Sequence, residues 1–302
     1  MSDAISKSVP AAPEHRLSAV GDQPAAESRL PGAISPAKRG WSAQVKPYLA
    51  PFLITCILIA GNIQYGMLEG NIGTAIAIVT CILMELVLSL FATGRWPHLA
   101  SCYITGLSVG ILVRSPLLLP YLLCSMLSIS SKYALRIKGR HLWNPSNLGV
   151  SVMLFLAPGI IAPLSQQWGN EIYALLIIMC LGSLILYTLG RVHITLTYIA
   201  AFIVLSFLRS LVTDTLWITE IALLTAPAYQ LFMFFMITDP KTTTRTKTRQ
   251  CAVAVLVAVV ETILRLTREI HAPYYALFIV APVTNLAEIW WDGRHARKGT
   301  CN

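Results

Sequence analysis

From Tyr48 onward the chain alternates between long, almost unbroken apolar runs and short polar links. "YLAPFLITCILIAGNIQYGML" and "IGTAIAIVTCILMELVLSLFA" are each long enough for the roughly 20 residues that cross a bilayer core. Most runs lack a polar face, so a soluble helix packed by one stripe does not describe them. The pattern predicts an all-α integral membrane fold with about ten transmembrane helices, over Tyr48–Leu68, Ile72–Thr93, Leu99–Val113, Leu117–Ser131, Asn147–Leu164, Ile172–Leu189, Ile194–Val212, Trp217–Ile237, Cys251–Leu266 and Tyr274–Trp291. Residues 47–292 form that membrane domain. Residues 1–46 are rich in Pro, Ala and Ser, mix acids with bases and hold no long apolar run. They read as a disordered cytoplasmic tail, and 293–302 as a short cytoplasmic tail at the other end.

Proline and glycine interrupt several runs. Arg114-Ser115-Pro116 separates two short helices, and Ala157-Pro158-Gly159, Ala226-Pro227 and Ala281-Pro282 fall within apolar segments. Backbone groups freed at such breaks are satisfied by protein or line a polar cavity. Breaks at comparable points of helices one to five and six to ten predict inverted five-helix repeats around a central site.

Charge sets the orientation. Only 12% of residues are charged, and the net charge is +9. With the N-terminus inside, sixteen Lys and Arg fall on the inner side and four on the outer. This bias puts both termini in the cytoplasm of a multi-pass protein of the cell inner (plasma) membrane. The excess positive charge then serves topology and contact with anionic lipid, the lipid bilayer being the first partner, and no nucleic-acid partner is needed.

Two polar thresholds stand out. In "RHLWNPSNLGV", Asn144 is a good helix cap and Pro145 a good first helical residue. The N–H groups of Ser146, Asn147 and Leu148 would then be free to face an anion or electron-rich ring. Gly149 allows close approach by another backbone or a flat ligand. A plain capped helix and a ligand-binding helix start both remain open. In "FFMITDPKTTTR", Asp239 before Pro240 is expected to cap the next helix. It could also hold a ligand N–H or balance Lys241 and Arg245. Asn144, Ser146, Asn147, Thr238, Asp239 and Lys241 are thus candidate binding residues. Asn147 is expected to be the more functional of the two amides, projecting toward whatever Asp239 faces.

Acids inside the runs add one more candidate. Glu85, Glu220, Glu261 and Glu288 all fall within predicted crossings, and a carboxylate there usually faces a cavity or partner. Glu85 is the most central and joins the binding set. The seven cysteines form no CxxC and read as small apolar residues, with no metal site expected. No GxGxxG, GxxxxGK[ST], HExxH or GxSxG occurs, so soluble nucleotide and hydrolase chemistry has no foothold and no catalytic residue is assigned.

The run from Thr105 through "IKGRHLWNPSNLGVSVMLFLAPG", together with "FFMITDPKT", resembles the NqrB/RnfD membrane subunits of sodium-pumping and Rnf electron-transport complexes. Asn144-Pro145 holds the place of that family's Asn-Pro-Ala helix start, with Ser146 for Ala. Phe234, Phe235, Met236, Thr238, Asp239 and Pro240 match its Phe-Phe-Met-Ala-Thr-Asp-Pro segment. The resemblance spans roughly 98–292 and implies ten helices in an inverted repeat, with other membrane subunits as partners. It departs at one point. The Ser/Thr-Gly/Ser-Ala-Thr motif that carries covalent flavin is missing, and the loop after Pro163 is only "LSQQWGNEI". Covalent flavin is therefore not expected. The chain is most similar to short UnbU-type members from enediyne biosynthetic clusters.

Three functional readings follow. The first is transmembrane transport of an ion or small molecule through a pathway lined by broken helices, favoured by the missing flavin motif. The second is an electron-transport subunit holding flavin or quinone non-covalently. The third is a membrane scaffold for a biosynthetic pathway.

Overall fold

The computed structural model describes residues 51–56, 59, 72–94, 96, 97, 99–163 and 172–299, and they are overwhelmingly helical. The predicted tail at 1–46, most of the first crossing and the loop at 164–171 lie outside these residues. Residues 51–56 are helical, and from Ile72 on the described residues form ten α-helices in order: α1 Ile72–Thr93, α2 Leu99–Leu112, α3 Leu119–Ala134, α4 Pro145–Leu156, α5 Ile172–Leu189, α6 Val192–Thr213, α7 Trp217–Ala222, α8 Pro227–Leu231, α9 Lys247–Leu266 and α10 Ala272–Gly299. A π-helical turn, Phe232–Met236, continues α8. Two helices, α1 and α6, are long and apolar enough to cross a membrane. A third span results if the segments Trp217–Thr225 and Tyr229–Met236, bent by 68°, act as one.

Four two-residue strands complete the chain. β1 (Val113–Arg114) pairs antiparallel with β4 (Ala162–Pro163), tying together the exits of α2 and α4. β2 (Arg136–Ile137) pairs with β3 (Arg140–His141) in a hairpin. Lys138 and Gly139 turn it with φ of 50° and 79°. Two successive positive φ values are the conformation that matches the strand twist in a two-residue hairpin loop. The basic run before Asn144 is therefore a hairpin, and it aims Arg140 at Glu288 and the Thr243 carbonyl.

Helix packing repeats. α1 packs on α2 and on α3, and α3 on α4; likewise α6 packs on α7 and on α9, and α9 on α10. α10 also packs on α4, joining the two sets. Small residues permit the closest approaches. Gly106 and Gly110 on α2 face α1, where a Cβ would meet Ile78 Cα at 2.6 Å and Thr74 Cα at 2.9 Å. At Gly149, a Cβ would strike Ser128 and come within 2.6 Å of the Cys124 carbonyl. The space beside Gly149 is filled by α3, not left for a flat ligand.

Burial runs opposite to that of a soluble protein. Large apolar side chains such as Val79, Leu83 and Phe91 of α1, and Leu196, Val204 and Leu211 of α6, are exposed. Glu220, Glu261, Asn285, Glu288, Lys132 and Arg265 are buried.

Two expectations about helix ends are corrected. Pro282 does not break its helix, because α10 runs through it. Proline removes its own N–H and so orphans the carbonyl four residues earlier. That carbonyl, Phe278 O, accepts the Trp143 indole N–H at 2.8 Å, so no gap in hydrogen bonding remains to force a break. Asp239 does not cap α9, which starts at Lys247 with Thr246 accepting the Arg249 N–H. The intervening threonines fold into a turn, with the Thr242 and Thr243 N–H groups on Asp239 O at 3.3 and 3.2 Å.

Candidate functional site

The Asn-Pro and Asp-Pro thresholds meet. Asn144 caps α4, and its Oδ1 accepts from Ser146 N at 3.1 Å, Asn147 N at 3.3 Å and Ser146 Oγ at 2.8 Å. Leu148 N bonds to Asn144 O at 2.9 Å. All three N–H groups at this helix start are thus occupied, and the predicted open anion site does not exist. The cap keeps its amide nitrogen for the other threshold: Asn144 Nδ2 donates to Asp239 Oδ2 at 3.3 Å and to Met236 O at 3.4 Å.

Asp239 gathers the turn around itself. Its carboxylate accepts from Lys241 N at 3.1 Å and Thr242 Oγ1 at 3.2 Å. Burial pushes the carboxyl above the usual aspartate range, against the pull of the Lys241 N–H and of the Lys241 and Arg191 charges. Arg191 donates to Thr238 O at 3.4 Å and to the Thr243 hydroxyl. Its own pKa is lowered by burial, with the Asp239 charge opposing. Thr238 turns its hydroxyl back onto Phe234 O, at 2.5 Å. Arg245 is not balanced by Asp239; its guanidinium lies 3.9 Å from Asp292.

Lys241 carries the network to Glu85. Its exposed ammonium donates to Ser101 Oγ on α2 at 3.1 Å, and Lys132 Nζ reaches the same hydroxyl at 3.4 Å. Lys132 is ion-paired to Glu85 at 3.1 Å, and Tyr133 OH donates to the other Glu85 oxygen at 3.1 Å. Two ammonium groups therefore converge on one hydroxyl, and Glu85 is paired with one of them, Lys132. His141 stands in the same field. Burial, then Arg136, Lys241 and Lys132, bring its pKa down from 6.5 to about 4, with Glu85 opposing. Its Nδ1 is buried with no hydrogen-bond partner among the described residues.

Of the seven predicted residues, Asn144, Ser146, Asp239, Lys241 and Glu85 belong to one hydrogen-bonded chain. Asn147 does not. It points away from Asp239 and donates Nδ2 to Tyr274 O at 3.3 Å, beside Ser151 Oγ at 3.2 Å, because its place in the first turn faces α10. The expectation that the Asn147 amide projects toward Asp239 is corrected by this geometry: the Asn144 amide makes that contact. Sequence reasoning passed over Lys132, Ser101, His141 and Asn285. Lys132 was counted only as an inner charge, although a lysine in an apolar helix with a glutamate in a neighbouring one is a pairing signal. Asn285, fully buried, donates to Leu142 O at 3.0 Å and Thr242 O at 2.8 Å, holding both thresholds to α10.

A second ionic node lies at the other end of α9. Glu220 of α7 is bridged by Arg209 of α6 and Arg265 of α9. Arg265 lies 5.0 Å from the Phe202 ring centroid, and Thr215 Oγ1 donates to Glu220 at 3.1 Å. The first residues of α9 sit beside the Asp239 turn, where Gln250 donates to Thr244 O at 2.7 Å. Arg265 is about 27 Å farther along the helix.

No family model matches the chain, and no curated protein is significantly similar to it.

Proposed function

We propose that the chain is a transporter of the cell inner membrane that moves a small anionic solute, built from about ten helical crossings in two inverted five-helix repeats with both termini cytoplasmic. This reading keeps the resemblance to NqrB/RnfD subunits and omits their covalent flavin. The exposed apolar faces of α1 and α6, together with the buried charges, support a lipid environment.

The observation that carries the reading is the pair of nodes. In each repeat the second, third and fourth helices contribute one residue apiece: Glu85, Ser101 and Lys132 in the first, Arg209, Glu220 and Arg265 in the second. Both nodes use the start of the third helix and the end of the fourth, with Arg209 near the end of the second helix and Glu85 nearer the middle of its own. Inversion then puts one at the inner mouth and one at the outer mouth. With the joined Asp239 turn the first mouth holds Lys132, Lys241 and Arg191 against Glu85 and Asp239, and the second holds Arg209 and Arg265 against Glu220, a surplus of one positive charge in each that favours an anion. The repeated packing of α1, α3 and α4 as α6, α9 and α10 supports the same symmetry.

The test is reconstitution into liposomes on a solid-supported membrane, with concentration jumps of chloride, inorganic phosphate and succinate. A transient current for at least one anion is expected, reduced by Lys241→Ala and by Asp239→Asn. No current for any of them, together with a flavin absorbance band in the purified protein, would replace this reading with the redox one.

A further inference from the structure

We propose that Glu261 is a proton-binding site within the helical core and that the transported anion is coupled to a proton taken up there; the coupling rests on the transport reading, the proton site does not. Glu261 is 0% exposed on α9. Its Oε2 accepts from Tyr198 OH of α6 at 2.5 Å, and its Oε1 from Tyr229 OH of α8 at 2.8 Å. The titratable and charged groups around it come from every element packed there. They are Tyr198, Tyr229, Tyr274 of α10, and Arg265 one turn farther along α9, with Glu220 of α7 beyond it.

Three features distinguish this carboxyl from the other glutamates within the apolar helices. Glu85, Glu220 and Glu288 are each ion-paired to lysine or arginine, whereas both Glu261 oxygens are bonded to neutral phenols. Arg265, the nearest cation, spends its hydrogen bond on Glu220. The surroundings are also closely filled. Tyr198 is flanked by Phe202 and Phe232, with ring centroids at 6.0 and 5.7 Å, and all three are almost fully buried. A proton is the one cation that enters such a site without needing volume. Finally, the Tyr274 hydroxyl is buried with no hydrogen-bond partner among the described residues, while its ring lies against Phe232 at 6.1 Å. It is a spare donor and acceptor next to the cluster.

Phenol hydroxyls rotate and serve as donor or acceptor. The ionised carboxylate accepts from both Tyr198 and Tyr229. On uptake, an O–H bond of a hydronium ion breaks, leaving water, and one O–H bond forms on Glu261; that O–H donates to one phenol, which turns its own hydrogen away. No other bond is made or broken and nothing is oxidised. Each uptake changes the charge of the buried cluster by one, which is the requirement for coupling to an anion.

The test is infrared spectroscopy of the full-length protein in lipid nanodiscs, titrated from about pH 5 to about pH 9 in H2O and D2O. A protonated-carboxyl C=O band that grows as pH falls, shifts in D2O and is missing in Glu261→Gln is the expected result. Tyr198→Phe and Tyr229→Phe keep the carboxyl and should move the frequency and midpoint of that band, so the test stands even if Glu261→Gln does not fold. A band that does not titrate, does not exchange, or is unmoved by both phenol variants overturns the proton site. A titrating band with no anion current in liposomes keeps the site and removes the transport reading. An anion current that does not depend on a pH gradient, with the band titrating, overturns the coupling alone.

Discussion

Trp143 and Pro282 are one hydrogen-bonding unit written at two distant places in the chain. The indole N–H takes up the carbonyl that the proline leaves behind. Trp143→Phe should therefore cost about 1–3 kcal/mol, the penalty for a buried acceptor left unmade. Pro282→Ala in that background restores a backbone N–H at position 282 and should recover most of the loss; melting curves of the two single variants and the double variant measure it. Equal costs with and without the proline would show that ring packing against Phe278, centroids 5.9 Å apart, is the real contribution. His141 supplies a pH dependence. Its folded pKa of about 4 lies below its ordinary 6.5. The folded state therefore binds fewer protons, and this contribution is present above about pH 6.5 and lost as pH falls through about 4. Between pH 7 and 4 the melting temperature of His141→Asn should fall less than that of the parent.

At the scale of helices and loops, the apolar runs gave boundaries well. α1 and α5 end where their runs end, because continuous hydrophobicity and flanking polar links leave little choice. What the runs could not show is which faces meet. Pro282 looked like a break because the donor to the carbonyl it frees, Trp143, lies far off in the bend before α4. Asp239 looked like a helix cap because the threonine-rich turn after it has no apolar signature. Asn144 and Asp239 were visible as a pair of thresholds, yet their contact, and the exclusion of Asn147 from it, depend on how α4 meets α10. The node at Glu220 belongs to this scale too. Removing that carboxylate strands Arg209 and Arg265 in a buried setting, so Glu220→Ala should cost roughly 3–5 kcal/mol. Arg245→Ala at the exposed Asp292 contact should change stability by about 0–1 kcal/mol. Chemical unfolding of the two variants beside the parent separates these magnitudes.

For the whole molecule, orientation is the property that the charge asymmetry addresses. A cysteine introduced at Lys138 in the hairpin turn should be shielded from impermeant thiol reagents in intact cells. One at Asp214, in the exposed turn after α6, should be labelled. Labelling in the opposite sense would reverse the topology and exchange the two mouths. The fastening of the first helices to the last one also has a consequence in time. Arg140, Leu142, Trp143, Asn147 and Ser151 all find partners on α10, more than a hundred residues later. During synthesis these groups wait at the membrane for partners that are not yet made. A chain that stalls or is cut before Ala272 keeps every one of its earlier spans but leaves those donors and the Leu142 carbonyl without their α10 partners. Such a chain would be marked for membrane proteolysis by its unfinished polar groups, and completion of the last helix is the event that hides them.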